Sequence, residues 1–288
     1  SKRDISGIRA DFGSMHRISP FSQLYLDADK TKYKLYPVDD SIISNPLFET
    51  VLQKRSEIYY NLLANFYAIV DIPFIKGLSY RLNYSPNYRW DHNYYFSPIY
   101  KEQGLNRTGE AKKFNSGQID WTIENIVDFN RTFGKHNIAA TLMYSASANN
   151  RENTTASGTN MYNDSNGWDN IGISSVQSSS SSASASSSVS MMARLNYRFM
   201  ERYMLTLTAR RDGYSGFGAN NKYGNFPSAA LSWIASEEPI IKNIRVIDLL
   251  KFRLSYGKTG NQAISPYQSL DMTGTTYYVY GDGGSTVV

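Results

Sequence analysis

Three carboxylates with regular spacing are the first candidates for chemistry in this chain. Asp120, Glu124 and Asp128 fall in one alternate phase of a predicted strand, so they share one of its faces. A pair of carboxylates is the machinery of glycoside hydrolysis when the two groups hold a defined separation across the substrate. The sequence supplies no such partner geometry, and a water-facing strand surface explains the three acidic side chains more simply.

The histidines and glycines form no catalytic or metal motif either. His16, His92 and His136 are far apart and lie in unlike contexts, so they lack metal-ligand spacing. The segment Gly216-Phe217-Gly218 lacks the strand-to-helix context of a nucleotide-binding loop. The chain contains no cysteine, which excludes a disulfide scaffold and a Cys-ligated metal. We predict no enzyme activity, no cofactor and no metal site.

Length and charge narrow the class of protein. At 288 residues the chain has room for one or two domains, and large all-β units often occupy this length as one. The formal net charge is +5, but lysine and arginine are spread along the strands, which is a poor footprint for nucleic acid. No apolar run reaches the ~18 residues of a membrane helix. The first residues contain no signal sequence, so we expect a mature chain or one that starts inside a longer protein.

The elements that carry these residues are predicted to be β-strands. Within Tyr203–Asp212 one phase reads Tyr, Leu, Leu, Ala and the other contains Thr, Thr, Arg and Asp. Within Leu250–Tyr256, Leu, Phe, Leu and Tyr alternate with Lys, Arg and Ser. A period of two is that of a strand, with one apolar and one polar face.

Short and long connections alternate between the strands. The turn between Phe199 and Tyr203 is short, whereas the connection 212–224 is longer and rich in Gly, Ser, Tyr and Asn. Tight turns on one side and long loops on the other are the layout of an outer-membrane β-barrel. We expect about eight strands between residues 56 and 258, with long loops at 90–115, 149–187 and 259–288. The Ser- and Ala-rich tract within 149–187 is expected to be flexible, either as an extracellular loop or as a linker between domains.

Several motifs then resemble one family. The runs Arg210–Gly218 (RRDGYSGFG), Lys222–Ser228 (KYGNFPS) and Leu254–Gln262 (LSYGKTGNQ) are similar to barrel segments of the SusC/RagA-like TonB-linked outer-membrane transporters. Trp233 and Ser236-Glu237-Glu238 fit the same pattern, and a weaker similarity covers Trp121–Asn125 and Thr132–His136. The resemblance extends over roughly 45–269.

The resemblance implies an all-β fold of antiparallel transmembrane β-barrel strands, part of a barrel of about 22 strands. The family's plug domain and closing C-terminal strand have no counterpart, so we interpret the chain as a partial barrel. It also implies an outer-membrane importer of large nutrients, foremost oligosaccharides and also peptides. Its expected partners are a SusD-like surface lipoprotein, the TonB complex and outer-membrane lipid. The chain would supply barrel wall and extracellular loops.

Three sets of residues follow as candidates. Aromatic side chains expected in loops, suited to stacking on sugar, are Tyr94, Tyr95, Tyr100, Tyr162 and Trp168. Polar side chains expected to face the lumen are Arg81, Arg194, Arg198, Arg210, Asp212 and Arg253. Candidate anchors at the membrane interface are Trp121, Tyr197, Tyr203 and Trp233. Plain loop packing, solvated charges and ordinary strand aromatics are the respective structural alternatives.

Two other functions remain open from the sequence. A soluble all-β glycan-binding or adhesive module would need a hydrophobic core between two sheets. A siderophore or cobalamin TonB-dependent receptor is a nearer rival, which the motif Arg210–Ser228 disfavours. The sequence defines neither the substrate nor the oligomeric state.

Overall fold

The computed structural model describes residues 2–4, 18–37, 45–102, 105–244, 246–262, 264–271, 276–280 and 283–287. His16 lies outside the described residues, as do parts of the predicted loop 259–288. Within the described part, no helix is both long and apolar enough to span a bilayer.

The described part of the chain is mostly β-strand. The strands are β1 (Lys2–Asp4), β2 (Lys54–Leu63), β3 (Phe66–Asp71), β4 (Leu78–Ser97), β5 (Tyr100–Glu102), β6 (Leu105–Arg107), β7 (Gly109–Phe133), β8 (His136–Met161), β9 (Ser174–Phe199), β10 (Tyr203–Tyr214), β11 (Tyr223–Ile234), β12 (Lys251–Gly257), β13 (Thr276–Tyr280) and β14 (Gly283–Val287). One short helix, α1 (Pro46–Val51), precedes β2, and 3-10 turns occupy Gly167–Ile173 and Ala235–Glu237.

Over these residues, one ten-stranded sheet has the order β1-β2-β4-β7-β8-β9-β10-β11-β12, with β3 also pairing with β4. The pairs β5–β6 and β13–β14 form separate two-stranded sheets. The registers show antiparallel pairing for β1–β2, β2–β4, β3–β4, β9–β10, β10–β11 and β11–β12. The predicted all-β antiparallel fold is therefore confirmed.

The predicted bounds of two loops were wrong. Residues 90–115 were expected as a loop, but β4 extends to Ser97 and β7 begins at Gly109. Residues 149–187 are strand apart from 162–173, because β8 runs to Met161 and β9 begins at Ser174. The low-complexity composition misled the prediction, since a strand gains its order from the backbone hydrogen bonds to its neighbour and does not require buried side chains. The hairpin β13–β14 lies within the third predicted loop.

Tight turns join the strands at one end. The turn before β4 contains Gly77 at φ 87°, and Asn130 N donates a 2.8 Å hydrogen bond to Gly77 O. The β9–β10 turn holds Met200 and Glu201 at positive φ, at 52° and 60°. Met200 N donates to Lys135 O of the β7–β8 turn at 2.8 Å. The predicted short turns are thus present, and neighbouring turns are linked through the backbone.

The chain divides into two compact units. Unit 1 comprises Ser1–Leu63, Asn87–Ile119 and Asn150–Ser184. It contains a small buried cluster of Phe96, Ala111 and Met161, against which Trp168, Ile171 and Ile173 pack.

Asn45, also in unit 1, is fully buried. Its amide donates to Leu24 O at 2.8 Å and Lys34 O at 2.7 Å. Its side-chain oxygen accepts from Leu47 N at 3.0 Å, at the start of α1. A single side chain therefore joins three segments of this unit.

Unit 2 comprises Ala64–Pro86, Asp120–Asn149 and Ala185–Val288. Among its described residues the only buried hydrophobic side chain is Ala235, whereas many large ones are exposed. The described strands of unit 2 therefore form no buried hydrophobic core of their own.

Candidate functional site

The register of β9 to β12 sorts side chains cleanly by face. Leu205 stands directly opposite Tyr197 in β9 and Leu231 in β11, and Leu231 stands opposite Leu254 in β12. Leu207 in turn faces Leu195 and Ala229 across the same strands. Directly opposed residues share a face, so the apolar phases of four strands combine into one surface. We call this surface the apolar face.

The apolar face is left uncovered. Leu207 is 41% exposed, Leu231 56%, Leu254 73% and Tyr256 86%. Burying a side chain of this size stabilises a protein by about 1.5–3 kcal/mol. A soluble fold would therefore be expected to cover these residues with a second layer.

The opposite face of the same strands is polar. Thr208 stands opposite Arg194 and Ser228, and Ser232 stands opposite Arg253. Arg198 and Met204 form the neighbouring pair. We call this surface the polar face. The predicted lumen residues Arg194, Arg198, Arg210, Asp212 and Arg253 all lie on it.

Arg210 and Asp212 form an ion pair on the polar face. Arg210 Nε lies 2.7 Å from Asp212 Oδ1, which also accepts from Ser190 Oγ at 2.6 Å. The sixth predicted lumen residue, Arg81, is exposed in β4 opposite Ile69 of β3. The structure thus places five of the six together and the sixth on another strand.

The three carboxylates of β7 serve as cross-strand acceptors. Glu124 accepts from Asn83 Nδ2 at 3.1 Å and Asp128 accepts from Thr141 Oγ1 at 2.6 Å. Asp120 accepts from the Asn149 amide. Each carboxylate joins β7 to a neighbouring strand, which explains their regular spacing without catalysis. The described residues contain no cluster of three or more metal-ligating side chains.

Four aromatic rings lie side by side on the apolar face, next to the tight turns. Tyr203 stands opposite Phe199 and Trp233, and Trp233 stands opposite Phe252. The ring centroids are 6.3 Å apart for Phe199 and Tyr203 and 5.6 Å apart for Trp233 and Phe252. We call these four residues the aromatic row.

The predicted interface anchors relate to this row in different ways. Tyr203 and Trp233 belong to it, and Tyr197 lies two residues before Phe199 with its hydroxyl 2.7 Å from His136 Nδ1. Trp121 is half-buried in β7 and is not part of the row. Sequence reasoning missed Phe199, although the short turn that it identified places this residue opposite Tyr203.

Glu238 accepts hydrogen bonds from Tyr203 and Trp233, the two members of the aromatic row that have a polar group. Its Oε1 accepts from Tyr203 Oη at 2.7 Å and from Trp233 Nε1 at 3.2 Å, and its Oε2 lies 3.2 Å from Arg202 Nη1. The hydrogen bond from Tyr203, followed by that from Trp233, lowers the pKa of Glu238 below its ordinary value of 4.5. The sequence marked Glu238 only as part of a family motif and gave it no role, because the irregular segment after β11 carries no periodic signal.

The five predicted loop aromatics, all in unit 1, do not form one site. Tyr94 and Tyr95 lie in β4 rather than in a loop, and as adjacent strand residues they point to opposite faces. Tyr94 pairs with Trp168, with ring centroids 5.9 Å apart. Lys113 Nζ lies 5.1 Å from the Tyr94 ring.

Tyr95, Tyr100 and Tyr162 each have different surroundings. Tyr95 stacks with the Arg55 guanidinium at 5.2 Å. The Tyr100 hydroxyl donates to Tyr33 O. Tyr162 follows β8 and is 78% exposed, the most accessible ring of the five.

A sheet with one exposed apolar face and one polar face is the architecture of a transmembrane β-barrel wall. A family model described as "TonB dependent receptor-like, beta-barrel" matches residues 21–285. The chain belongs to this family of TonB-dependent receptor barrels.

Individual relatives agree with this assignment. The chain is 33% identical over 274 residues to TonB-dependent receptor P3 of Formosa agariphila, covering 93% of this chain and 26% of that receptor. It is 42% identical over 99 residues to TonB-dependent receptor SusC of Bacteroides thetaiotaomicron, covering 33% of this chain and 10% of SusC. The resemblance to the SusC/RagA-like transporters is confirmed. The chain spans about a quarter of the length of the first of these relatives.

Solved structures show the same fold. A structure of the RagAB peptide transporter superposes with a TM-score of 0.74 at 17% identity, covering 91% of this chain and 29% of that one. At this identity the likeness establishes the fold alone.

Proposed function

We propose that this chain forms barrel wall and extracellular loops of a transporter that imports large nutrients across the outer membrane, driven by TonB. Members of its family are outer-membrane β-barrels. The observation that carries the proposal is the exposed apolar face of β9 to β12, because the same strands carry a polar face on their other side. Lipid on one face and water on the other is the environment that suits both.

The faces also argue against the soluble alternative. A glycan-binding sandwich would bury Leu231 and Leu254 between two sheets, yet they are 56% and 73% exposed. An exposed apolar surface of this extent marks a membrane or protein contact. A soluble all-β module is therefore disfavoured.

Oligosaccharides are the substrate class that we favour, with peptides as the second candidate. The exposed ring of Tyr162 suits stacking on the apolar face of a sugar. Peptides are the second candidate because the structural neighbour is described as a peptide transporter, although the likeness to it establishes only the fold. A SusD-like lipoprotein is proposed as partner on the strength of the likeness to SusC.

Substrate binding by the full-length receptor tests the proposal. The receptor, purified with any lipoprotein that accompanies it, is titrated with oligosaccharide and peptide mixtures and read by native mass spectrometry. We expect oligosaccharide adducts that Tyr162→Ala weakens at least about fivefold and Tyr162→Phe preserves, because stacking needs the ring and not the hydroxyl. Adducts with peptides alone, or with metal chelates alone, would refute the oligosaccharide assignment.

A further inference from the structure

One cation interrupts the apolar face. Along β10 the phase that contains Tyr203, Leu205, Leu207 and Ala209 continues to Arg211, which stands opposite Met191 in β9 and Asn225 in β11. Among the register-paired residues of β9 to β12 on this face, Arg211 is the only ionised side chain. A lone arginine on a lipid-facing surface is costly near the bilayer centre and tolerated near its boundary.

Arg211 has no ionic partner among the described residues. Its guanidinium carbon lies 4.6 Å from the centroid of the Tyr223 ring, which orients the side chain without neutralising its charge. By contrast, the adjacent Arg210 on the polar face is paired with Asp212. The positive charge of Arg211 is therefore available to an anion.

An apolar groove begins at this arginine. Its volume is about 700 Å³, within the range of small-molecule sites. Its lining includes Leu142, Tyr144, Met191, Ala193, Ala209 and Pro227, together with Arg211 and Asn225. Ala193, Ala209 and Pro227 are directly opposed across three strands, so their small side chains form the floor between larger neighbours.

The position of the groove along the strands indicates which leaflet it meets. Arg211 lies near the end of β10 that is distant from the tight turn at 200–202. Tight turns of such barrels are periplasmic, so Arg211 lies toward the extracellular side. Because its guanidinium is a planar fork of donors, it matches the oxygens of a phosphate.

We propose that Arg211 and this groove bind a phosphate-bearing lipid, with the phosphate on the guanidinium and an acyl chain along Ala193, Ala209 and Pro227. Asn225, directly opposite Arg211, supplies a second donor to the phosphate. The site rests on the proposed lipid-facing assignment of the apolar face. It goes beyond substrate import, since it lies on the outer surface of the wall.

Lipid titration of the full-length receptor tests the site. The delipidated receptor in detergent is titrated with diphosphorylated lipid A, its dephosphorylated form or inorganic phosphate, and adducts are counted by native mass spectrometry. We expect Arg211→Gln to weaken lipid A binding about fivefold, the effect of ~1 kcal/mol for one basic residue at a membrane surface. The matched control Arg194→Gln removes an arginine from the polar face and should leave binding unchanged.

A second variant tests the groove independently. Ala209→Phe keeps the charge but fills the floor, so it should weaken binding of lipid A and leave binding of inorganic phosphate unaltered. Equal binding by wild type and Arg211→Gln, or by lipid A with and without its phosphates, would overturn the proposal. Binding of inorganic phosphate as strong as that of lipid A would also overturn it. Loss of lipid binding with unchanged substrate import would leave the proposed transport function intact.

Discussion

The two-faced wall is tested most directly by placing one arginine at different depths of β10. Leu207 lies on the apolar face, four residues from Tyr203 of the aromatic row and four from Arg211. At a rise of ~3.4 Å per residue and a tilt of ~45°, four residues cover about 10 Å of depth. The apolar band of such barrels is about 25 Å tall, so Leu207 lies close to its middle.

Depth then determines the expected cost. Leu207→Arg should destabilise the assembled barrel by about 2–4 kcal/mol, the cost of an arginine at the midplane. Leu205→Arg, two residues nearer the aromatic row, should cost roughly half as much. Thr206→Arg places the same side chain on the polar face between Asn196 and Ala230, where its only loss is one hydrogen bond to Asn196, worth about 1 kcal/mol.

Assembly of the full-length receptor in the outer membrane is the assay. The heat-modifiable band on a gel measures the folded fraction, and urea unfolding of the purified barrel measures its stability. We expect the order Leu207→Arg, then Leu205→Arg, then Thr206→Arg, from most to least damaging. Equal tolerance of Leu207→Arg and Thr206→Arg would refute the assignment of the faces, and greater damage from Thr206→Arg would reverse it.

Two further predictions concern the end of the wall with the tight turns. Gly77→Ala should cost at least about 2 kcal/mol in urea unfolding, because the glycine is at positive φ and a Cβ would lie 2.1 Å from Asn130 O. The control Gly134→Ala, also at positive φ but with open space around it, should cost about 1–2 kcal/mol, and a larger loss there would contradict the steric argument. Glu238→Gln should lower the unfolding temperature at about pH 7 but not at an acidic pH well below 4.5, where the carboxyl is protonated in both the folded and the unfolded chain. A carboxyl whose pKa is depressed below 4.5 by Tyr203 gives stability that is lost as the pH falls through that lower pKa; an equal difference at both pH values would exclude this role.

The sequence predicted the wall well where side chains differ between the two faces. In β10 and β12 the alternation of Leu, Tyr and Phe with Thr, Ser and Arg defines both the strands and their faces, and the register matches it. The short turn after Phe199 was equally predictable, because three residues between two strands leave the backbone few possible conformations. These features are local, so a single sequence carries them.

Features that depend on neighbouring strands were not predictable in the same way. The tract 178–188 belongs to β9, where Ser178 Oγ accepts a hydrogen bond from Ser157 Oγ of β8 and Ser182 Oγ accepts one from Asn153 Nδ2 of β8. Serine has no strong strand preference, so this order comes from the pairing of β9 with β8. Trp168 was a candidate for stacking on sugar, and it packs against the buried cluster of Phe96, Ala111 and Met161, a contact that requires the fold of 162–173.

Asn125 and Arg211, which both line the apolar groove, differ in their hydrogen bonding. Asn125 Oδ1 accepts from Tyr80 Oη at 2.6 Å, so its acceptor is already used within the wall. An unsatisfied polar group in hydrocarbon costs several kcal/mol, and this pairing removes that cost. Arg211 has no such partner among the described residues and offers donors only. The side-chain oxygen of Asn125 already has its hydrogen-bond partner, whereas the charge of Arg211 has none in the described part of the chain. We therefore expect the groove to bind an anionic headgroup in preference to a neutral one, because only an anion compensates this charge in a medium that excludes water.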